Sequence, residues 1–150
     1  MPKAIPDGYH AVTPYLIFSD AAKALAFYKQ ALGATELYRM PMANGKIGHA
    51  EIQIGDSRIM LSDEAPEMGA KSVKSIGGTP IGLCLYTENL DAVADRFVKA
   101  GGKLVRAIEK QFYGDRSGQF EDPEGYKWTL AQHVEDVSPE EMQRRSEKHG

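Results

Sequence analysis

The same order of secondary-structure signals occurs twice along this chain, and this duplication restricts the possible folds more than any other feature. From about residue 9 to residue 63, an apolar strand pattern, an amphipathic helix pattern and three further strand patterns predict a βαβββ module. The same order recurs from about residue 81 to residue 133. The sequence therefore predicts an α+β protein built from two tandem βαβββ modules.

Matching positions in the two halves favour a true duplication, although few residues are identical. One shift along the chain places Leu16 on Leu85. A second shift, introduced because the hairpins differ in length, places Glu51 on Thr129 and makes the last strand the counterpart of the third. The alternative is that two common β-α-β units match by chance. We favour the duplicated module.

Local signals predict where the elements and modules begin and end. Asp20 is a candidate N-cap of the first helix, and Gly33 is a candidate C-cap. Between residues 64 and 80, glycine, proline and serine are dense and periodicity disappears, which predicts a linker or mobile loop. The capping box SPEE predicts a C-terminal helix over about 139–148. We expect residues 1–150 to form a single domain that contains both modules.

Composition excludes several classes of function. The 18 Lys and Arg residues against 21 Asp and Glu give a net charge of −3 without a long basic run, so nucleic acid and membrane are not expected partners. The single cysteine, Cys84, cannot form an intrachain disulfide. The N-terminal sequence MPKAIPDGYH lacks an apolar signal segment, and no apolar run is long enough to span a membrane. We therefore expect a cytoplasmic protein.

Several segments resemble one known superfamily. The segment YLIFSDAAKALAFYKQALGA, the hairpin GHAEIQIGDSRIMLSD and the ending DPEGYKWTL are similar to sequences of the vicinal oxygen chelate superfamily. This superfamily includes glyoxalase I, the bleomycin and fosfomycin resistance proteins and the extradiol dioxygenases. The segment FYGDRSGQFEDPEGYKWTLAQHVEDVSPEEM resembles its PhnB-like subgroup. The resemblance implies the glyoxalase/bleomycin resistance-like fold, in which the sheets of paired modules form a curved cup, and a homodimer.

The resemblance also implies four metal-ligand positions, where a divalent cation such as Zn, Ni, Fe or Mn would activate vicinal oxygens of a substrate. Three of these positions hold Thr13, Gly82 and Thr129 in this sequence, and only Glu51 keeps a ligand-type side chain. A single carboxylate does not hold a transition metal. We therefore expect no metal cofactor.

His49 and Glu51 are the candidate catalytic residues. They are two positions apart on one predicted strand, so their side chains share a face of the sheet. Such a pair is compatible with metal ligation, with acid–base catalysis or with a polar surface that has no chemical role. The sequence leaves these three interpretations open.

Further candidates for ligand binding are Tyr15 and Tyr86, which we expect to face the cup together with Thr13 and Thr129. Arg116 follows Asp115 on a tight glycine turn, so it either forms a local ion pair with that aspartate or binds an anionic group at the rim.

Two further features are interpreted as structural. The DPEG turn (122–125) combines a proline, which fixes φ, with a glycine, which allows positive φ. We expect Cys84 to be a small buried hydrophobe, because no neighbouring base in the sequence would lower its pKa.

Two functions remain from the sequence. The first is a small-molecule binder without the usual metal site. The alternative is a metal-dependent lyase or isomerase of the glyoxalase type, with an altered site around His49 and Glu51. No glycine-rich cofactor loop supports a methyltransferase.

Overall fold

The two halves of the chain form two compact units in the computed structural model, which describes residues 1–149. The first unit is Met1–Thr79, and the second begins at Pro80. Each unit contains one βαβββ module with a four-stranded mixed sheet. The predicted α+β class and the two tandem modules are confirmed. The unit boundary lies at the end of the predicted linker.

In the first unit, the strand order in the sheet is β1-β4-β3-β2, with β1 parallel to β4 and the other pairs antiparallel. The elements are β1 (Tyr15–Phe18), α1 (Ala21–Leu32), β2 (Thr35–Pro41), β3 (Ile47–Ile54), β4 (Ser57–Asp63), a 3-10 helix (Pro66–Met68) and α2 (Val73–Ile76).

Helix α1 begins and ends at the residues that the sequence indicates. The Asp20 carboxylate accepts a hydrogen bond from the Lys23 amide at 3.1 Å, and Gly33 ends the helix in the left-handed conformation. The apolar side of this amphipathic helix, with Leu25, Tyr28 and Leu32, is buried, and Tyr28 packs edge-on against Phe18 at 5.8 Å between ring centroids. The helix therefore covers one face of the sheet.

The other face of this sheet is polar and carries the candidate site. Along β3, the side chains of Ala50 and Ile52 are buried, whereas His49 and Glu51 alternate with them and are only half-buried. The strand register places four side chains in one row across the sheet, from β1 to β2: Tyr15, Met60, Glu51 and Tyr38.

In the second unit, the strand order is β5-β8-β7-β6, again with one parallel pair at β5 and β8. The elements are β5 (Gly82–Tyr86), α3 (Leu90–Lys99), β6 (Lys103–Lys110), β7 (Asp115–Glu121), β8 (Lys127–His133) and α4 (Pro139–His149). Helix α3 covers the sheet through Phe97, which packs against Phe120 at 5.5 Å between ring centroids.

The strand register corrects the predicted alignment of the two halves. Strand β8 occupies the place of β4, because Thr129 pairs with Cys84 of β5 as Met60 pairs with Tyr15 of β1. The prediction that Thr129 is the counterpart of Glu51 is therefore wrong. The counterpart of Thr129 in the first sheet is Met60. The predicted alignment pairs β3, the third strand of the first module, with β8, the fourth strand of the second.

The predicted linker contains regular structure. Between residues 64 and 80 the chain forms a 3-10 helix and the short helix α2, and Ser72 caps α2 through a hydrogen bond from the Ser75 amide at 3.2 Å. Ser75 also donates to the Glu64 carboxylate at 2.6 Å. Helices this short show no periodicity in the sequence, so the composition of residues 64–80 alone indicates a loop.

The C-terminal helix begins as the capping box predicts. The Ser138 hydroxyl accepts a hydrogen bond from the Glu141 amide at 3.1 Å, and Pro139 is the first helical residue. Arg145 of this helix binds Glu135 through two hydrogen bonds of 2.9 and 3.0 Å. Within residues 1–149, no helix combines the length and apolar character that a membrane span requires.

Candidate functional site

Four side chains form a continuous hydrogen-bonded chain on the polar face of the first sheet. Tyr9 donates from its hydroxyl to Oε1 of Glu51. Oε2 of Glu51 lies 2.8 Å from Nε2 of His49, and Nδ1 of His49 lies 2.9 Å from the hydroxyl oxygen of Tyr15. We call these four residues the tyrosine–histidine–glutamate network. It joins the N-terminal segment, β1 and β3.

The charges in this network fix the direction of its hydrogen bonds. The hydrogen bond from Tyr9 and then that from His49 hold the pKa of Glu51 below its usual range. An ionised carboxylate only accepts, so Nε2 of His49 donates to it. In the neutral imidazole, Nδ1 is then an acceptor, and the Tyr15 hydroxyl donates to it. Burial, followed by the bond to Glu51, raises the pKa of Tyr9.

Arg58 holds Tyr9 in place from the neighbouring strand. Its guanidinium carbon lies 4.9 Å from the centre of the Tyr9 ring, and the group donates to the backbone oxygen of Asp7 at 3.2 Å. The N-terminal segment lies close to the sheet at Gly8, where an added Cβ atom would lie 2.3 Å from the Arg58 side chain. Nothing in the sequence indicates this role of Tyr9, because a loop residue carries no local signal for a contact with a strand 42 positions away.

A cavity of about 570 Å³ opens beside the network and has Tyr15 in its wall. Its apolar lining includes three methionines, Met40, Met42 and Met68. Gly48 lets two of them approach β3, since a Cβ atom at this position would lie 2.6 Å from the Met42 sulfur. Thioethers adapt their shape to a ligand and make favourable contacts with aromatic rings. This lining suits an apolar or aromatic molecule.

The second unit brings Tyr86 into a separate network around Asp115. This carboxylate is 5% exposed, and it accepts from the Tyr86 hydroxyl at 2.8 Å and pairs with Nδ1 of His133 at 2.8 Å. The other ring nitrogen of His133 lies 2.7 Å from Asp136. The hydrogen bonds with Asp115 and then Asp136 raise the pKa of His133, and the bond to Asp115 raises the pKa of Tyr86 to about 12.

Arg116 does not pair with Asp115. Its guanidinium binds both carboxylate oxygens of Asp91, at 3.1 and 3.4 Å, in the first turn of α3. The first of the two interpretations of Arg116, a local ion pair with Asp115, is therefore wrong. The two charges separate because consecutive strand residues point to opposite faces of the sheet.

Thr129 lies in the middle of the second sheet and lines a cavity of about 280 Å³ with Gly82 and Lys127. A Cβ atom at Gly82 would meet only the Lys127 backbone oxygen, at 3.9 Å, so the fold leaves room for a side chain there. Cys84, on the neighbouring edge strand, is exposed, and the expectation that it is buried is wrong. Its face of the sheet lies opposite to the one that α3 covers.

The predicted site residues thus fall into two groups. Tyr15, His49 and Glu51 lie together in the first unit, and Thr13 is half-buried just before β1. Tyr86, Arg116 and Thr129 lie in the second unit without direct hydrogen bonds to one another among residues 1–149. No three His, Cys, Asp or Glu side chains within this range are arranged to hold a metal ion.

The donor set also fails to fit the metal site that the resemblance implies. Thr13 and Thr129 are neutral, Gly82 has no side chain, and the register gives Met60 rather than Glu51 as the counterpart of Thr129. These groups are poor ligands for Zn, Ni, Fe or Mn. Glu51 already accepts hydrogen bonds on both of its oxygens.

Comparisons with known proteins agree with this fold. The uncharacterised protein Rv0887c of Mycobacterium tuberculosis is 41% identical over 143 residues, which cover 93% of this chain and 84% of that protein.

Two solved structures have the same fold. TioX from Micromonospora sp. ML1 has a TM-score of 0.65 at 21% identity, over 86% of this chain and 100% of that one. A mutant of the fosfomycin resistance protein FosX from Listeria monocytogenes, complexed with Mn(II) and 1S,2S-dihydroxypropylphosphonic acid, has a TM-score of 0.64 at 19% identity, over 91% and 97% of the two chains.

Residues 9–130 match the family model of the Glyoxalase/Bleomycin resistance protein/Dioxygenase superfamily. The matched range extends from the N-terminal segment that carries Tyr9 to the last strand of the second module. It therefore covers most of the chain, including the first βαβββ module and all of the second except the last three residues of β8. The chain belongs to the Glyoxalase/Bleomycin resistance protein/Dioxygenase superfamily.

Proposed function

We propose that this chain binds a small apolar molecule in the cavity of the first unit, without the metal site usual in chelating members of its superfamily. The observation that carries the proposal is the methionine-lined cavity of about 570 Å³ beside Tyr15. Its size lies within the range of small-molecule sites in proteins, which combine an apolar lining with a few polar groups. The lining also carries polar side chains, among them Tyr15, whose hydroxyl forms a hydrogen bond with Nδ1 of His49.

The second unit offers additional candidates for ligand contact. Thr129 and Lys127 line its smaller cavity, and Tyr86 lines a third, of about 380 Å³, together with His133. Arg116 is held by Asp91 and would reach an anionic ligand only by leaving that carboxylate. We therefore place the principal binding site in the first unit. The superfamily resemblance supports a homodimer, and the single cysteine, Cys84, fits a reducing cytoplasm. A monomer in light scattering at micromolar concentration would contradict the dimer.

The binding proposal predicts that a neutral apolar dye such as N-phenyl-1-naphthylamine binds to the cavity. Replacing Met40 by glutamate places a charge in the apolar wall, and we expect the dye affinity to fall by about tenfold or more, which is about 1.4 kcal/mol. Dye fluorescence during titration with protein measures this change.

Leu37→Glu is the matched control for this titration, because Leu37 lies on the same strand as Met40 and is equally exposed, at 40%, but does not line the cavity. Its dye affinity should stay close to that of the wild type. Equal losses in the two variants would show that the dye binds elsewhere.

The alternative function, a metal-dependent lyase or isomerase of the glyoxalase type, rests on His49 and Glu51. For a metal to bind there, Tyr9 and His49 would have to give up their hydrogen bonds to the Glu51 carboxylate. We expect elemental analysis of the purified protein to find well under one equivalent of Zn, Ni, Fe or Mn. A stoichiometric metal that is lost in Glu51→Ala would support the alternative and contradict the metal-free site.

A further inference from the structure

We propose that Tyr15, His49 and Glu51 form a proton-transfer triad, in which Tyr15 is the catalytic base toward a neutral or cationic carbon acid held in the adjacent cavity. This inference rests on the proposed binding function and adds an activity to it. The activity requires no metal. The substrate class follows from the lining and the charges of the cavity.

The geometry of the triad is that of an activated hydroxyl. A hydroxyl, an imidazole and a carboxylate follow one another through hydrogen bonds of 2.9 and 2.8 Å, and the carboxylate binds the ring nitrogen remote from the hydroxyl. This is the arrangement in which a base polarises a hydroxyl while a third group orients the base. Tyr15 is 46% exposed and lines the cavity, so the reactive oxygen belongs to a side chain that a ligand can reach.

Tyr9 is a positioning residue in this arrangement. It occupies Oε1 of Glu51, so the carboxylate can turn neither toward solvent nor away from His49 without losing a hydrogen bond. Arg58 holds the Tyr9 ring from the other side. The triad is therefore fixed by the segment that precedes β1 as well as by β1 and β3.

The charges around the cavity select the ligand. Three carboxylates line it, those of Asp63, Glu64 and Glu67, against one ammonium group, that of Lys46. Hydrogen bonds from Ser75 and from a backbone amide hold the pKa of Glu64 below its usual range, so this carboxylate remains charged. The surplus of negative charge disfavours anionic ligands, and the methionines favour flat apolar ones.

The proton balance of the step is simple. A C–H bond of the ligand breaks, and its proton moves to the Tyr15 oxygen while the Tyr15 proton moves to Nδ1 of His49. The resulting imidazolium is stabilised by the Glu51 carboxylate. The electron pair of the C–H bond stays on the ligand, where it either is delocalised or expels a leaving group. His49 then returns its proton to solvent through Tyr15.

The ring opening of 5-nitrobenzisoxazole tests this step with the full-length protein. The probe is neutral, aromatic and small, and loss of its C–H proton breaks the N–O bond and releases a coloured cyano-nitrophenolate without any further reactant. We expect catalysis above the buffer rate. Tyr15→Phe and His49→Ala should each lower kcat on the order of 100-fold.

Tyr38→Phe is the matched control. Tyr38 lies in the same row across the sheet, its ring centre is 6.3 Å from that of His49, and its hydroxyl has no hydrogen-bond partner within residues 1–149. Its rate should stay within about twofold of the wild type. Glu51→Gln should lower kcat with little change in KM, and Glu51→Asp should recover part of the rate, which a purely structural role would not produce.

Binding of N-phenyl-1-naphthylamine separates the two proposals and confirms that each variant is folded. A wild-type rate in Tyr15→Phe, or an equal loss in Tyr38→Phe, would refute the triad. Dye binding that Met40→Glu removes, without any turnover of the benzisoxazole, would also refute the triad but leave the binding function intact. Failure of the wild type to bind the dye would refute the binding function itself.

Discussion

Replacing Asp122 by alanine is expected to destabilise the second unit by about 3–5 kcal/mol. The carboxylate is 4% exposed and accepts three hydrogen bonds: from the amides of Glu124 and Tyr126, at 3.0 and 2.9 Å, and from the indole of Trp128, at 3.0 Å. Alanine leaves all three donors buried without this acceptor. The loss of a buried acceptor costs more than the net gain from the hydrogen bonds it makes, because the donors cannot return to water.

The intermediate variant Asp122→Asn identifies the cause of this destabilisation. The asparagine oxygen can still accept from the two turn amides, but its amino group then faces the Trp128 donor. We expect about half the loss seen with alanine. Fluorescence of Trp128, the single tryptophan of the chain, reports unfolding of this unit during urea titration.

Asp56 provides the control, because it occupies the equivalent turn between β3 and β4 and is exposed. Asp56→Ala should change the free energy of unfolding by no more than about 0.5 kcal/mol. Circular dichroism, which follows both units, allows the two aspartates to be compared. Similar losses at Asp56 and Asp122 would show that the buried hydrogen bonds are not the cause.

Features with local signals were predictable from the sequence. The first helix has the expected limits because Asp20 and Gly33 act on backbone groups within one turn. The C-terminal helix follows from its capping box for the same reason. The proline and glycine of the DPEG turn predict its structural role, but they do not predict the three hydrogen bonds to the Asp122 side chain. Local chemistry thus predicts where elements begin and end.

Features that depend on strand pairing were not predictable. Counting along the chain cannot distinguish β3 from β4 as the counterpart of β8, and only the register shows that Thr129 corresponds to Met60. The exposure of Cys84 likewise depends on which face of the sheet the helix covers. In both cases the sequence contains the pattern, and the assignment requires knowing which strands are neighbours.

The candidate site shows the same limit. His49 and Glu51 were identified because the two-residue period of a strand places them on one face. The hydrogen bonds that join this pair into a network come from Tyr9 and Tyr15. Tyr9 lies 42 positions from Glu51, and Tyr15 lies 34 positions from His49. The sequence predicts that Tyr15 faces a ligand, but it does not predict the hydrogen bond between Tyr15 and His49. Side-chain networks across a sheet therefore remain hidden until the strands are paired.

Replacing Gly114 by alanine is expected to destabilise the second unit by at least about 3 kcal/mol. Gly114 has φ of 103°, a conformation that side chains rarely adopt, and a Cβ atom there would lie 2.1 Å from the backbone oxygen of Glu135. The neighbouring backbone cannot easily move away, because the amides of Val134 and Glu135 donate to the Gly114 oxygen at 2.9 and 3.0 Å. Relief of the contact would break these bonds and displace Asp115 from His133.

Gly45→Ala separates the steric part of this effect from the conformational part. Gly45 also has a positive φ, of 84°, but no heavy atom lies within 4 Å of its Cβ position, so we expect a loss of only about 1–2 kcal/mol. Circular dichroism during urea unfolding compares both variants with the wild type.

The imidazole NMR signals of His133 provide a second measurement, because Asp115 raises the pKa of this histidine and a shifted turn would remove that effect. Equal losses in the two variants, with the His133 titration unchanged in Gly114→Ala, would contradict the close approach of Gly114 to Glu135. The expected result is a larger loss of stability in Gly114→Ala together with a lowered His133 pKa. The turn that leaves no room for a side chain at Gly114 also holds the Asp115 carboxylate within hydrogen-bond distance of the His133 imidazole.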